Sequence, residues 1–154
     1  MSKILTLAYE YEHDYALIAI NSTLDGYRLA YLLNSLLVLK LERQTDDLDF
    51  SNKESVFPMY GYECDITFLS WHLLINKSIS VTKNLDHSYL FNEASKTSFL
   101  ITEKKRVDYF LKIEGGIDTA KLVATLDKIK TIKGVITSYA IDPETLKSKD
   151  YLIF

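Results

Sequence analysis

The first predicted element is a strand that is apolar on both of its faces. In Asp14–Asn21, both sets of alternating positions contain apolar side chains, which is typical of a strand that is covered on both faces. The leucines that follow recur at i, i+3, i+4 and i+7 and predict the buried stripe of a helix: Leu29, Leu32, Leu33 and Leu36. Leu37–Arg43 returns to alternation, so we expect a strand–helix–strand unit.

A second strand–helix–strand unit is predicted in the last third of the chain. Val107–Glu114 alternates, with apolar side chains on one face and Lys112 among the polar side chains on the other. Asp118 is placed to cap the next helix, whose apolar stripe is Leu122, Val123, Leu126 and Ile129. Gly134 is placed to end that helix, and Val135–Ile141 predicts a closing strand.

Between the two units the pattern predicts further strands. Phe57–Tyr62 has Pro58 near its start, which favours an edge position, and Ile66–Asn76 alternates regularly. Lys96–Thr102 is the last of these strands. The short charged segment Glu103–Arg106 predicts a hairpin turn that joins it to the next strand.

Two such units with antiparallel strands between them predict an α+β fold. We expect a two-layer sandwich, in which a mostly antiparallel sheet carries two main helices on one face. The right-handed crossover rule makes an extended split-βαβ, ferredoxin-like arrangement the natural topology. The length of 154 residues predicts one α+β domain over residues 1–154.

Charge and cysteine content limit the partners and the cellular compartment that we expect for this protein. The formal net charge of −3 is unlike that of a dedicated nucleic-acid-binding protein, so we expect no nucleic-acid partner. The longest apolar stretch, Leu29–Leu41, is interrupted by polar residues and too short to cross a membrane. Cys64 is the only cysteine, which fits a reducing compartment, and we predict a cytoplasmic protein.

The sequence lacks a recognisable catalytic or metal-binding motif. Cys64 lies between two acidic residues, which oppose thiolate formation. The acidic cluster at 46–49 has no glycine for a calcium loop, and the histidines show no ligand spacing. No glycine-rich phosphate loop or nucleophile elbow occurs. We therefore expect no metal and no cofactor, and the pattern favours a protein that is not an enzyme.

One segment carries a family resemblance. Ile101, Glu103, Val107, Asp108 and Tyr109 follow the spacing of the signature of the IPExxxVDY family, uncharacterised bacterial proteins of about this length, which this chain resembles. Thr102 stands where the family has proline, and the segment 25–34 is similar to the family's first helix. The resemblance implies no activity that can be transferred. The pattern of 107–141 is also similar to half of an ACT-type regulatory domain.

Two groups of residues are candidates for ligand or partner binding. Tyr27, Arg28 and Asn34 flank the leucine stripe, where the arginine would clamp a carboxylate and the asparagine would bind an amide, unless Arg28 pairs with Asp25. Glu103, Asp108 and Tyr109 form the second group. The two carboxylates suit acid–base work, but the cations at 104–106 hold both ionised, and a pairing with Arg28 or Arg106 is favoured.

The function predicted first is that of a non-enzymatic binding or adaptor domain. It rests on the missing catalytic set and on an aromatic excess of eleven tyrosines and Trp71. The expected partners are a second copy, bound through a sheet edge or a helix face, or an unidentified protein. The alternative is a small-molecule-sensing domain of ACT-like type, with its ligand near Gly115–Gly116 or between two chains.

Overall fold

The computed structural model describes residues 15–49, 56–83 and 93–154, except for the side chains of 80–83 and 93–95. The strands are β1 (Tyr15–Ser22), β2 (Glu42–Arg43), β3 (Met59–Glu63), β4 (Ser70–Ile75), β5 (Lys77–Lys83), β6 (Glu93–Phe99), β7 (Tyr109–Glu114) and β8 (Val135–Ile141). The helices are α1 (Gly26–Leu37) and α2 (Thr119–Lys130). The chain also contains three short 3-10 segments: Thr102–Lys104, Pro143–Thr145 and Lys149–Leu152.

Six strands form one sheet in the order β2-β3-β4-β7-β1-β8, and each neighbouring pair in it is antiparallel. Strands β5 and β6 pair with each other in a separate two-stranded sheet. The predicted α+β class with a mostly antiparallel sheet and two main helices is confirmed. The finer ferredoxin-like description stays a prediction.

Both helices pack on the same face of the six-stranded sheet. Leu29 and Leu33 of α1 and Ile129 of α2 belong to one buried cluster with the central strands, to which β1 contributes Ile18 and Ile20. The i, i+4 spacing of the α1 leucines brings them to one side of the helix, where they leave water together. This cluster is the main core, and it confirms the predicted placement of both helices.

The opposite face of the sheet is covered by irregular chain. Leu17 and Ala19 of β1 belong to a second buried cluster with Leu146 and Leu152 from the C-terminal region. The cluster also contains Leu48, Phe57, Leu100, Ile101 and Val107. Because this layer covers the sheet from the second side, β1 is apolar on both faces and β7 is buried on both faces, as central strands should be.

Three strand predictions need correction. The segment 37–43 contributes only the two-residue β2, because the leucine stripe carries α1 on to Leu37 and Val38 then ends it with a left-handed φ of 56°. Strand β3 starts after Pro58 and is paired on both sides, so it is not an edge. Strand β6 pairs with β5, so the predicted hairpin from β6 into β7 is wrong.

The N-termini of the two helices are capped differently. Asp118 accepts a 2.7 Å hydrogen bond from the amide of Lys121, so it caps α2 as predicted. Asp25 occupies the same position in α1 without a side-chain capping bond. The Ser22 hydroxyl lies nearby, accepts from the amide of Leu24 and donates to the carbonyl of Gly134 at 2.9 Å. Ser22 therefore links the start of α1 to the α2–β8 connection.

Candidate functional site

Asn76 organises the signature segment, residues 101–109, from inside the protein. Its side chain is fully buried, and its amide donates to the carbonyls of Lys104 (2.9 Å) and Val107 (2.8 Å). Its carbonyl oxygen accepts a 2.8 Å hydrogen bond from the amide of Ile101. Both donor hydrogens and the oxygen are satisfied, so this one side chain fixes the path of the segment. The sequence pattern gave Asn76 no role beyond the end of a strand.

Glu103 holds the C-terminal part of the chain. Its two oxygens accept hydrogen bonds from the amide and the hydroxyl of Ser148, both at 2.7 Å. Partial burial acts to raise the pKa of Glu103, but these hydrogen bonds outweigh it and the pKa is lowered overall. Glu103 is therefore ionised at neutral pH. Thr102 opens the 3-10 segment here, at a first position that proline also favours.

Asp108 and Tyr109 tie β7 to the connection between β1 and α1. An oxygen of Asp108 accepts from the amide of Ser22 at 2.9 Å, and the Tyr109 hydroxyl donates to the carbonyl of Leu24. Burial, followed by the charges of Asp108 and Asp25, raises the pKa of Tyr109 to about 12. Tyr109 therefore stays protonated and donates this hydrogen bond throughout the physiological range.

The two carboxylates of the signature segment have other partners than those expected. Glu103 faces Ser148 and Asp108 faces the Ser22 amide, and neither forms an ion pair with Arg28 or Arg106 among the ion pairs of the described residues. A general acid needs a raised pKa, whereas that of Glu103 is lowered. The serine groups satisfy these carboxylates without the side-chain ordering that an ion pair with an arginine requires.

The candidates on α1 divide into one structural residue and two exposed ones. The Asn34 amide donates to the carbonyl of Leu41 (3.1 Å) and accepts from its amide (2.7 Å), so it brackets the chain after the helix. Tyr27 and Arg28 are exposed and line a cleft of about 490 Å³ with Tyr31 and Leu32. The structure thus brings Tyr27 and Arg28 together and engages Asn34 elsewhere.

Lys112 is buried, although the alternating pattern placed it on a polar face. Its ammonium group donates to the carbonyl of Leu152, forms a 2.8 Å ion pair with Glu114, and lies 4.3 Å from the ring centroid of Phe154. The Tyr15 ring centroid lies 4.7 Å from the same ammonium group. Leu152 and Phe154 come from the C-terminal region and Tyr15 comes from β1, and local periodicity does not register contacts so far apart in the chain. Lys112 therefore anchors that region to the sheet.

Cys64 follows β3, beside a cavity of about 150 Å³ between the helices and the β3–β4 connection. Hydrogen bonds from the hydroxyl and amide of Thr67, then from the Tyr62 hydroxyl and the Ile66 amide, lower the pKa of the Cys64 thiol to about 7. The acidic neighbours were expected to oppose thiolate formation. The turn at 65–67 overturns that expectation, because it aims several donors at the sulfur.

The lowered thiol pKa makes a testable prediction. Alkylation of Cys64 in the folded chain is expected to reach half its maximal rate near pH 7, whereas the urea-unfolded chain should do so near the ordinary value of about 8.5. The thiolate fraction grows as the pH rises, so the folded chain should react faster below pH 8. The measurement is the rate of iodoacetamide labelling against pH, followed by mass spectrometry.

Two variants test whether the Thr67 hydroxyl lowers the pKa of the Cys64 thiol. Thr67→Val removes the hydroxyl that contributes most and should move the folded midpoint upward. Thr137→Val is the matched control, since this exposed threonine lies on β8 and not beside the thiol. A folded midpoint equal to that of the unfolded chain would contradict the assignment.

The described residues contain no group of three or more His, Cys, Asp or Glu side chains arranged to hold a metal ion. Within the same ranges, no helix is both long and apolar enough to traverse a bilayer. No family model, curated protein or solved structure matches the chain. The fold and the site define an α+β domain whose signature segment is engaged internally and whose α1 carries an exposed aromatic and cationic cluster.

Proposed function

We propose that this chain is a non-enzymatic cytoplasmic binding domain that docks an acidic protein surface on the exposed flank of α1. We call the residues of this flank the α1 surface: Tyr27, Arg28, Tyr31 and Leu32. The proposal draws support from a contrast between two groups of candidates. The signature residues bond to the protein's own backbone and serines, whereas the α1 surface faces solvent.

The residue types of the α1 surface are those that contribute most to protein interfaces. Tyr27 and Tyr31 are 63% and 72% exposed, one turn apart on the helix. Tyrosine and arginine are enriched among interface residues whose truncation costs most binding energy. A tyrosine gives a large contact area for few rotatable bonds, which keeps the entropy cost of docking low. This exposed aromatic pair around an arginine is the observation that carries the proposal.

The chemistry of Arg28 indicates the character of the partner. Its guanidinium forms none of the ion pairs recorded among the described residues, and the first turn of α1 contains no acidic side chain. A planar guanidinium suits a carboxylate, which it binds through two parallel hydrogen bonds. An aspartate or glutamate on a protein surface, flanked by apolar side chains for the tyrosines, therefore fits this cluster.

The test compares proteins captured from a native lysate by the wild-type chain and by Arg28→Glu and Tyr31→Ala. Truncation of such interface residues costs about 2 kcal/mol or more of binding free energy. Capture of the specific partner should therefore fall about thirtyfold. Val123→Ala, at a half-exposed valine of α2, is the matched control and should capture normally. If Arg28→Glu retains the same proteins at the same yield, the proposal fails.

Family membership belongs to this proposal as well. The IPExxxVDY resemblance and the bacterial origin it implies rest on the five matched residues of the signature segment together with the segment 25–34. Their contacts agree with a motif kept for folding, since Ile101 and Val107 are buried and the other three hold neighbouring chain. A family defined by such a motif shares an architecture more than an activity.

The 150 Å³ cavity favours a second candidate, a small-molecule-sensing domain of ACT-like type. Its lining combines Trp71, Thr67, Lys121 and Lys128, a mixture of apolar and polar groups that suits a small anion. A ligand directly at Gly115 is disfavoured, because the Phe68 carbonyl fills that space. A thermal-shift panel of amino acids and nucleotides tests this candidate, since a ligand at 100 times its Kd adds about 2.7 kcal/mol of stability.

A further inference from the structure

Among the described residues, the outer edge of β8 lacks the charges and prolines that usually protect a strand edge, and its one irregularity is a register shift with β1 between Val135 and Thr137. Among the described residues no strand pairs with this side of β8, which ends the six-stranded sheet. The strand reads Val-Ile-Thr-Ser-Tyr-Ala-Ile and contains neither a charged residue nor a proline. Natural edges are usually blunted by charges, prolines or bulges, because free N–H and C=O groups recruit another strand. Ile136 and Tyr139 are 67% and 42% exposed on it.

We propose that β8 pairs antiparallel with β8 of a second copy of this chain, joining the two six-stranded sheets into one. A twofold axis at Ser138 sets Ile136 opposite Ala140 and Thr137 opposite Tyr139, each twice. The seven residues give a seam of about 24 Å with about six to eight backbone hydrogen bonds. Antiparallel pairing of a strand with itself is self-complementary, as a closed dimer requires.

The charges at the two ends of β8 favour this antiparallel register. Lys133 precedes the strand and Asp142 follows it. Around an axis at Ser138, Lys133 of one copy lies next to Asp142 of the second copy, and the same pair forms again at the other end. Parallel pairing would instead set Lys133 against Lys133 and Asp142 against Asp142, which repel.

A second patch of positive charge lies beside β8. Lys104, Lys105 and Arg106 line a cleft of about 390 Å³ together with Tyr139 of β8. The pairs of Lys133 and Asp142 meet on both sides of the axis, and their attraction should weaken with added salt.

Dimerisation leaves the α1 surface exposed and doubles it. The seam involves β8, whereas the α1 surface is on a helix that packs over the sheet face. A dimer would present two copies of the α1 surface, so a repetitive partner would bind with avidity. This bivalent role rests on the proposed function, whereas the β8 dimer does not.

Sedimentation velocity of the full chain over about 1 to 100 μM tests the pairing. The wild-type chain is expected to shift from monomer to dimer across this range. Ile136→Lys should raise the dimer Kd about tenfold or more, since each change counts twice in a twofold interface. Val123→Lys makes the same exposed substitution on α2 and should leave the Kd unchanged. Circular dichroism checks that each variant is folded.

Charge variants test the register. Lys133→Glu should weaken the dimer, and Asp142→Asn should weaken it less while retaining the side-chain oxygen that accepts from the Glu144 amide. A chain that stays monomeric at the top of the concentration range would overturn the proposal. A dimer that survives Ile136→Lys but is lost in Tyr31→Lys would also overturn it, because the contact would then lie on α1. Failure of partner capture by the α1 surface would leave the sedimentation result intact.

Discussion

Replacing Asn76 by alanine is expected to lower the free energy of unfolding by about 3 to 5 kcal/mol. The substitution leaves two buried backbone groups without partners, the Ile101 amide and the Val107 carbonyl, and it removes one of the two donors to the Lys104 carbonyl. An unsatisfied buried polar group costs about 1 to 3 kcal/mol, and water reaches this fully buried position poorly. The measurement is urea unfolding followed by circular dichroism, with the slope checked for a two-state transition.

Asn34→Ala is the matched control for this prediction. Asn34 also brackets a backbone segment, through the amide and carbonyl of Leu41, but it is only half-buried. Water can replace its hydrogen bonds, so a loss of about 1 kcal/mol is expected. If the two variants are equally stable, Asn76 does not organise the signature segment as described.

The hydrogen bonds of Asn76 explain why the signature segment does not form the hairpin turn that the sequence predicted. A short charged segment between two alternating runs is typical of a hairpin turn, and Glu103–Arg106 fits that description. The amide side chain of Asn76 instead captures the Ile101 amide and the Lys104 and Val107 carbonyls, and the chain turns through a 3-10 segment. A side chain 25 residues upstream in the sequence sets this path, and periodicity contains no information about it.

Elements governed by local pattern were predicted well. Strands β1 and β8 and helix α2 lie where alternation, the leucine and isoleucine spacing and the Asp118 cap placed them, although α2 ends at Lys130, four residues before the predicted stop at Gly134. Within α2 the stripe is displaced, since Val123 is half exposed and Thr125 is buried. Thr125 tolerates burial because its hydroxyl donates to the Lys121 carbonyl. Periodicity therefore found the helix but misplaced the centre of its buried face.

Candidate residues were predicted by type, whereas their roles depend on distant contacts. Tyr27 and Arg28 were recognisable because both lie on the polar flank of a helix whose stripe was clear. Lys112 was not, because its partners are Leu152, Phe154 and Tyr15, each far from it in the chain. A buried lysine has no local signal that distinguishes it from a solvated one. Cys64 was misjudged for a different reason: its donors are close in the chain, and the 65–67 turn aims several of them at the sulfur.

Gly115→Ala is expected to destabilise the protein by about 3 to 5 kcal/mol, several times more than the same change at Gly116. Both glycines have positive φ, 109° and 84°, so alanine is strained at either position. Only at Gly115 would the new Cβ meet neighbouring chain, coming to 2.3 Å from the carbonyl oxygen of Phe68. At Gly116 nothing lies within 4 Å, and only the conformational cost of about 1 kcal/mol applies.

Gly115→Ala and Gly116→Ala therefore distinguish the stability lost to a steric clash from the stability lost to backbone strain alone. Relief of the clash at Gly115 requires the β3–β4 connection to move away from the end of β7, because Phe68 and Leu69 lie directly against this glycine. That connection also contains Thr67, whose hydrogen bonds stabilise the Cys64 thiolate. Gly115→Ala should consequently raise the alkylation midpoint of Cys64 along with the loss of stability, and Gly116→Ala should leave it near pH 7. Equal losses of unfolding free energy in the two variants would show that the close packing of Gly115 against Phe68 does not hold in solution.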